Sequence, residues 1–581
     1  MNKPIIAVST AGLLALAACG GSSGSGSTTP TQTTSSQFGH TEGTAGSGKN
    51  PNAVGPAAPV AGAKTGGTVY VESAVSPNTF DPTDAYYVDS SSILEGLVTR
   101  SLTQYQYDPK TGNFLLVPDL ATNLGVPNKN FTSWTFTLKK GIKFQDGTPV
   151  TPADIKYGIE RSFDRATFVN GANYSNQYFL DGNTYKGPYK SGTNYPGVII
   201  KGQNITIKMS KPFPDMPYWG AFPAMGPIKP TGSSPSTYKN DPLATGPYKF
   251  NGYTPGKSLT LVRNKYWNPK TDPARHAYPD EWKFTWAGNP DTIQAGLLHD
   301  QGQAQSTLTY DNVLGPMYSQ FKNDPSAASR LVTGTSPCTY MLYPDNRTVP
   351  KPVRQALAWA WPYKSVWLAG GSLEGVTIVP AYNMMPPGIP GRKQYNPLPG
   401  HTPGTTNAAK AKQILTQSHH LGFKISMGYE TDQQTSIAEK NQWVPALKKA
   451  GFNPQPVAST STNIRTLISS PTSKVNVRSV GWCSDWPGGA SWIPPEFQST
   501  DISKVGFGTN YEAYNQKWAD QAMAHVQTLP LSQQPAAWNA LEQQIMTKDF
   551  PVVLTGYGAD AMIRGSKIGG MFNDSTFAMP T

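Results

Sequence analysis

The chain has 581 residues, more than one ordinary domain needs and enough to bury large cores. Only 14% of its residues are charged, while 56 Gly, 53 Pro and 11% aromatics exclude a coiled coil and wholesale disorder. The formal net charge of +12 comes from Lys and Arg in ones and twos, which reads as a solvated basic surface and not as a nucleic-acid site. Three cysteines exclude a zinc ribbon, and no CxxC pair is present.

The N-terminus carries a compartment signal. Lys3 precedes an apolar run over 5–18, too short to span a bilayer but suited to the core of an export signal. The run ends in Leu16-Ala17-Ala18-Cys19-Gly20, which resembles the lipobox of bacterial lipoproteins. That resemblance implies a signal peptide over 1–18, cleavage before Cys19, lipidation of the Cys19 thiol, and residence outside the cytoplasm. Residues 19–65 are Gly, Ser, Thr, Pro and Ala with few large apolar groups, and are expected to form a flexible tether. Two catalytic-looking matches inside it carry no function. The GxSxG at 20–24 lacks a flanking strand and helix, and the GxxxxGK ending at Lys49 has Asn50 where Ser or Thr is required.

From Gly66 onward strand and helix patterns alternate irregularly, which predicts a mixed α/β protein without a fixed repeat. Order begins at Gly66-Gly67-Thr68-Val69-Tyr70-Val71, a short strand-like run. The clearest stretch is 133–163. Trp134, Phe136 and Leu138 alternate with polar residues as in a half-buried strand, and Asp146-Gly147 marks a turn. Thr151-Pro152-Ala153-Asp154 then supplies an N-cap, a first-turn proline and a capping box, followed by Ile155, Ile159 and Phe163 on one helical face. A second helix is predicted over 352–361, with Val353, Ala356, Leu357 and Ala360 on one face. Near the C-terminus Tyr514, Trp518, Ala522 and Val526 share one helical face, and Trp538, Leu541 and Ile545 share another.

The 133–163 stretch resembles the signature of the family 5 extracellular solute-binding proteins, the oligopeptide- and dipeptide-binding components of ABC importers. Gln145 stands where that family commonly has His, and Pro362 where it commonly has an acidic residue. Segments 76–82, ending in Asp81-Pro82, and 118–121 resemble the family in the same order. So do 245–248, 263–267 and the 352–361 helix, and the resemblance runs from Gly66 to the C-terminus. It implies an α/β, two-lobed periplasmic-binding-protein-like fold with a hinge and an extra inserted subdomain. Lobe I would comprise 66–98, 226–332 and 547–581, the insert 99–225, and lobe II 333–546.

The resemblance also nominates a site in Gly481-Trp482-Cys483-Ser484-Asp485-Trp486-Pro487. Asp485 would pair with a peptide's α-ammonium group by charge-assisted hydrogen bonds. Trp482 would line a side-chain pocket, and the backbone at Gly481 and Cys483 would pair with the ligand as an added strand. The residues alone equally allow Asp485 to cap a turn and Trp482 to pack in a core. The resemblance further implies a Cys338–Cys483 disulfide. Tyr86, Tyr87 and Asp89, and Thr555 and Tyr557, occupy ligand-contact positions by the same resemblance, although a surface loop or packed strand accounts for them as well. Arg478 is set aside, because strand alternation turns it away from Ser479, the position that usually faces ligand.

The functional expectation is a non-enzymatic, monomeric, lipid-anchored receptor that delivers peptides to ABC permease subunits, without cofactor, metal or nucleic acid. One alternative is the same fold carrying a nickel chelate, haem, an oligosaccharide or a signalling peptide. A secreted hydrolase is the weaker alternative: there is no HExxH, and an SxxK match at Ser319–Lys322 has no companion motif.

Overall fold

A computed structural model describes residues 48–108, 113–286, 288–460, 463–470, 472–502, 509–574 and 579–580. The expected signal peptide, Cys19 and most of the tether therefore lie outside the described residues. No helix among the described residues is long and apolar enough to cross a membrane.

The first lobe is built on a five-stranded sheet in the order Thr307–Thr309, Thr68–Glu72, Glu281–Thr285, Ser258–Arg263, Tyr248–Thr254. The first three strands run parallel and the last two close the sheet antiparallel. Val71, Leu259, Leu261 and Phe284 alternate toward a core that also buries Phe80, Leu94 and Val98. An inserted unit follows, with its own aromatic-rich core. Its four-stranded sheet and its hairpin Thr103–Asp108/Asn113–Pro118 pack around Trp134, Phe136, Ile155, Phe163 and Trp219.

Local chemistry specifies the insert's central stretch. Strand Ser133–Thr137 buries Trp134 and Phe136, and Gly147 takes a φ of 86° in the turn, where a side chain would be strained. In helix Pro152–Arg161 the Thr151 side chain accepts from the Asp154 N–H, and Asp154 Oδ2 accepts from the Thr151 N–H at 2.8 Å. Gln145 exchanges hydrogen bonds with the backbone of Ala244, both at 2.8 Å, so it joins the insert to the first lobe.

Buried ion pairs make the rest of that joint. Arg161, from the signature helix, makes a two-pronged contact with Asp81 at 2.7 and 3.0 Å. Arg100 contacts Asp119 at 2.7 Å, and Arg275 reaches Asp119 at 2.9 Å and Asp272 at 3.2 Å. All four side chains of this second group are 3% exposed or less. Although burial opposes its charge, the two guanidiniums hold the Asp272 carboxyl well below the usual carboxylate range. Asp81 and Asp119, read in the sequence only as family-like segments, are thus the anchors that fix the insert to the first lobe.

The second lobe holds the helix Lys351–Ala360, with Val353, Ala356, Leu357 and Ala360 buried, and the paired helices Lys517–Val526 and Gln534–Lys548. Tyr514 does not share the helical face expected for it. It precedes the helix, in a loop where Ala513 has a φ of 53°, and its hydroxyl donates to Asp549 at 2.6 Å. The lobe's sheet runs Ile378–Val379, Val553–Ile563, Leu331–Pro344, Val477–Cys483. Two of these strands are long. One end of the Leu331–Pro344/Val553–Ile563 pair, Leu331 against Ile563, packs on the first lobe's helical cluster. The other end, Leu342 against Val553, lies in the second lobe's core. Register shifts after Thr335 and Tyr340 separate the two halves.

Phe550, Val552 and Val553, beyond the expected 546/547 boundary, pack in clusters with residues of 333–546. The described part of the tether, 48–65, is packed rather than free. Leu116 N–H donates to Gly48 O and Asn50 N–H to Leu116 O, both at 2.9 Å, and Val60 N–H donates to the Tyr278 hydroxyl at 3.0 Å. Composition weighs side-chain burial and is blind to backbone pairing of this kind.

Removing one partner of a buried ion cluster leaves the others unpaired, so Asp119→Ala is expected to lower unfolding stability by about 3–5 kcal/mol in denaturant titration. Asp560, opposite Gly334 in the long strand pair, has its carboxyl raised by burial to about 7 against weaker support from Asn312 and Asn573. Burial likewise raises Glu542 to about 7. Carboxyls with raised folded values add stability at acid pH that is lost as pH climbs through about 7. Unfolding free energy is therefore expected to fall between about pH 4 and 7, and Asp560→Asn to remove on the order of 4 kcal/mol of that fall. An equally steep profile in the variant contradicts this assignment.

Candidate functional site

The second-lobe sheet ends at Val477–Cys483, whose single strand neighbour among the described residues is Leu331–Pro344. The register pairs Cys338 with Cys483, Thr339 with Trp482 and Tyr340 with Gly481. Ser484 N–H donates to Pro337 O at 2.9 Å, which makes that pair hydrogen-bonded. Antiparallel pairs alternate, so Cys483, Gly481 and Ser479 occupy the non-bonded positions. Their N–H and C=O groups point away from the neighbouring strand, toward the side that has no strand partner among the described residues, where Ser479 is exposed and Gly481 and Cys483 are buried. Cys338 and Cys483 are disulfide-bonded across this pair, closing a span of 145 residues.

Beyond the strand, the chain turns out of the second lobe. Asp485 is 2% exposed. Its Oδ1 accepts from the Tyr86 hydroxyl at 2.6 Å, and its Oδ2 accepts from the Tyr174 hydroxyl. Tyr86 stands just before the helix Val88–Ile93, and Tyr174 opens the short insert helix Tyr174–Tyr178. Burial and the facing carboxylate push the Tyr174 phenol well above its ordinary value, so it remains a donor. Trp486 is enclosed by the insert's aromatics: its ring lies 4.9 Å from Tyr174, 6.3 Å from Phe213 and 6.4 Å from Tyr218. Burying an indole removes enough apolar surface to favour this contact by roughly 4–6 kcal/mol.

The expected site residues divide into groups. Asp485 and Tyr86, 399 residues apart, are brought together. Gly481 and Cys483 lie where their backbone groups face outward. Trp482, expected to line a pocket, instead fills the second-lobe core beside Met384, Trp492 and Trp538, and its Nε1 donates to Ser491 O at 2.7 Å. Tyr557 is likewise structural. Its hydroxyl donates to Asn383 O at 2.7 Å and accepts from the backbone N–H groups of Tyr382 and Asn383, which pins that segment. Thr555 falls at the strand irregularity and is 9% exposed, with its carbonyl accepting from Trp367 Nε1 at 3.1 Å. Tyr87 precedes the helix that Asp89 helps to start. Asp89 accepts from Ser90 N–H at 2.7 Å, and its carboxyl is raised by burial. Arg478 caps the helix Ile464–Ser469 through Ile468 O at 2.7 Å. Ser319 and Lys322 sit exposed on the helix Gly315–Asn323.

Sequence reasoning missed Tyr174 and Trp486. No local pattern ties Tyr174 to a carboxylate 311 residues away. Trp486, adjacent to Asp485, was within reach as a buried aromatic beside a candidate site. Among the described residues no group of three or more His, Cys, Asp or Glu is arranged to hold a metal ion.

Comparison with known proteins places this geometry. The model of the family described as bacterial extracellular solute-binding proteins, family 5 Middle, matches residues 116–504. The periplasmic oligopeptide-binding protein OppA of Salmonella typhimurium is 22% identical over 460 residues, covering 76% of this chain and 80% of its own. The glutathione-binding protein GsiB of Salmonella choleraesuis is 24% identical over 500 residues, covering 81% and 85%. The solved clavulanic acid biosynthesis oligopeptide binding protein 2 superposes with a TM-score of 0.81 at 21% identity, covering 92% of this chain and 98% of that one. The lobes, the insert and the match over most of the chain lead to one conclusion: this chain belongs to the family 5 bacterial extracellular solute-binding proteins, whose members bind substrates and are not enzymes.

Proposed function

We propose that this protein is the lipid-anchored substrate-binding component of an ABC importer, capturing peptides between its lobes and delivering them to permease subunits. The observation that carries the reading is the open edge at Ser479, Gly481 and Cys483. Outward backbone groups at alternate residues recognise what all peptides share, the main chain, and leave side chains unread. A receptor of many sequences needs that property. Relatives support the choice of cargo: one is named for oligopeptides, and an ABC transporter-associated periplasmic binding protein, DppA from Helicobacter pylori, was solved in complex with the peptide STSA. Cys19, in its lipobox-like setting, supplies the anchor, and the protein acts on the outer side of the cell membrane.

Delivery follows from two lobes joined by a strand pair. A solute that touches both lobes favours the closed arrangement, which the permease reads. The GsiB relative, named for glutathione, supports a narrower second reading in which one short peptide-like solute is the cargo.

Native mass spectrometry of the purified, undenatured protein separates these readings. The peptide reading predicts several adducts with peptide masses that disappear on unfolding. A single defined mass favours the narrow reading. A non-peptide adduct, or an empty protein whose thermal unfolding no peptide shifts, contradicts the proposal. Peptide at a hundredfold over its dissociation constant is expected to add about 2.7 kcal/mol of stability.

A further inference from the structure

Asp485 lies where a peptide's amino group is expected, yet both its oxygens are engaged by phenols from outside its own lobe. Tyr86 comes from the first lobe and Tyr174 from the insert. Trp486 inserts among Tyr174, Phe213 and Tyr218 of that same insert. Elsewhere on the lobe, the Asp501 carboxylate acts electrostatically on the insert's Tyr178 and Lys211. Every one of these contacts joins protein groups across the gap between lobes.

We infer that Asp485, Tyr86 and Tyr174, backed by Trp486, form a clasp that closes the second lobe onto the rest of the molecule, so that closure depends on protein donors and not on a ligand's amino group. The inference rests on the two-lobed receptor reading above and widens its cargo: a free α-ammonium group is not required. The physical ground is competition. A carboxylate buried at 2% exposure is stable only with donors in place, and two phenols already supply them. An arriving ammonium group would displace or share those donors, and gains correspondingly less. A protein-made clasp also shifts the open–closed equilibrium before cargo arrives.

The test compares wild type with the Tyr86→Phe/Tyr174→Phe double variant by small-angle scattering, after stripping co-purified solute. Phenylalanine keeps the rings in place and leaves the Asp485 carboxylate without its two phenol donors. The clasp predicts a compact wild type and a variant with a larger radius of gyration and an unchanged circular dichroism spectrum. A wild type as open as the variant overturns it. If the double variant fails to fold, the single variants Tyr86→Phe and Tyr174→Phe carry the same comparison. On the cargo side, free and N-acetylated forms of the same peptides are expected to bind wild type within about threefold of each other. A tenfold or greater preference for the free amine overturns the inference. If neither form of any peptide binds, the peptide reading of function falls, and the scattering result still decides the clasp.

Discussion

The functional reading depends on one strand being paired on one side only. Among the described residues Val477–Cys483 has a strand neighbour along one edge, and the Ser484–Pro337 hydrogen bond sets which residues spend their backbone groups on that neighbour. A one-residue slip would exchange the two sets and turn Gly481 and Cys483 inward. The disulfide at Cys338–Cys483 crosses the same pair and opposes such a slip. An unpaired edge is ordinarily a liability for a soluble protein. Here the strand runs directly into Asp485 and Trp486, which lie against the insert, so the edge sits beside the gap between lobes and not on an open flank.

That arrangement requires a rigid opposing wall, and the buried ion pairs provide it. Arg161 with Asp81, and Arg100 and Arg275 with Asp119 and Asp272, bind the insert to the first lobe as one body. The long strand pair, whose ladder is interrupted by register shifts, runs between that body and the second lobe. Tyr86 and Tyr174 can act as a single jaw because the elements that carry them are tied together in this way.

Much of the fold was legible because it is encoded locally. The strand, turn and capped helix of 133–161 are written in alternation, an Asp-Gly turn and a capping box, all within a few residues of one another. The helix Lys351–Ala360 shows its apolar face just as plainly. Misreadings arose where periodicity continued past a real boundary, as at Tyr514, or where backbone pairing outweighed composition, as at Gly48 and Asn50. The site was half legible. A resemblance pointed to Asp485 and Tyr86, but the same segment offered two tryptophans, and the sequence did not show which faces the core. Alternation sends Trp482 inward with Val480, whereas Trp486 lies past the strand's end, where alternation no longer applies. Tyr174 answers to tertiary structure alone.

Hydrogen exchange over 477–486, measured with and without a saturating peptide, tests the central claim most directly. If the outward groups of Gly481 and Cys483 hold a ligand's main chain, these amides become protected on binding, while the amides of Trp482 and Val480, already bonded to the neighbouring strand, change little. Protection confined to other parts of the cleft, with 477–486 exchanging as before, would contradict the account.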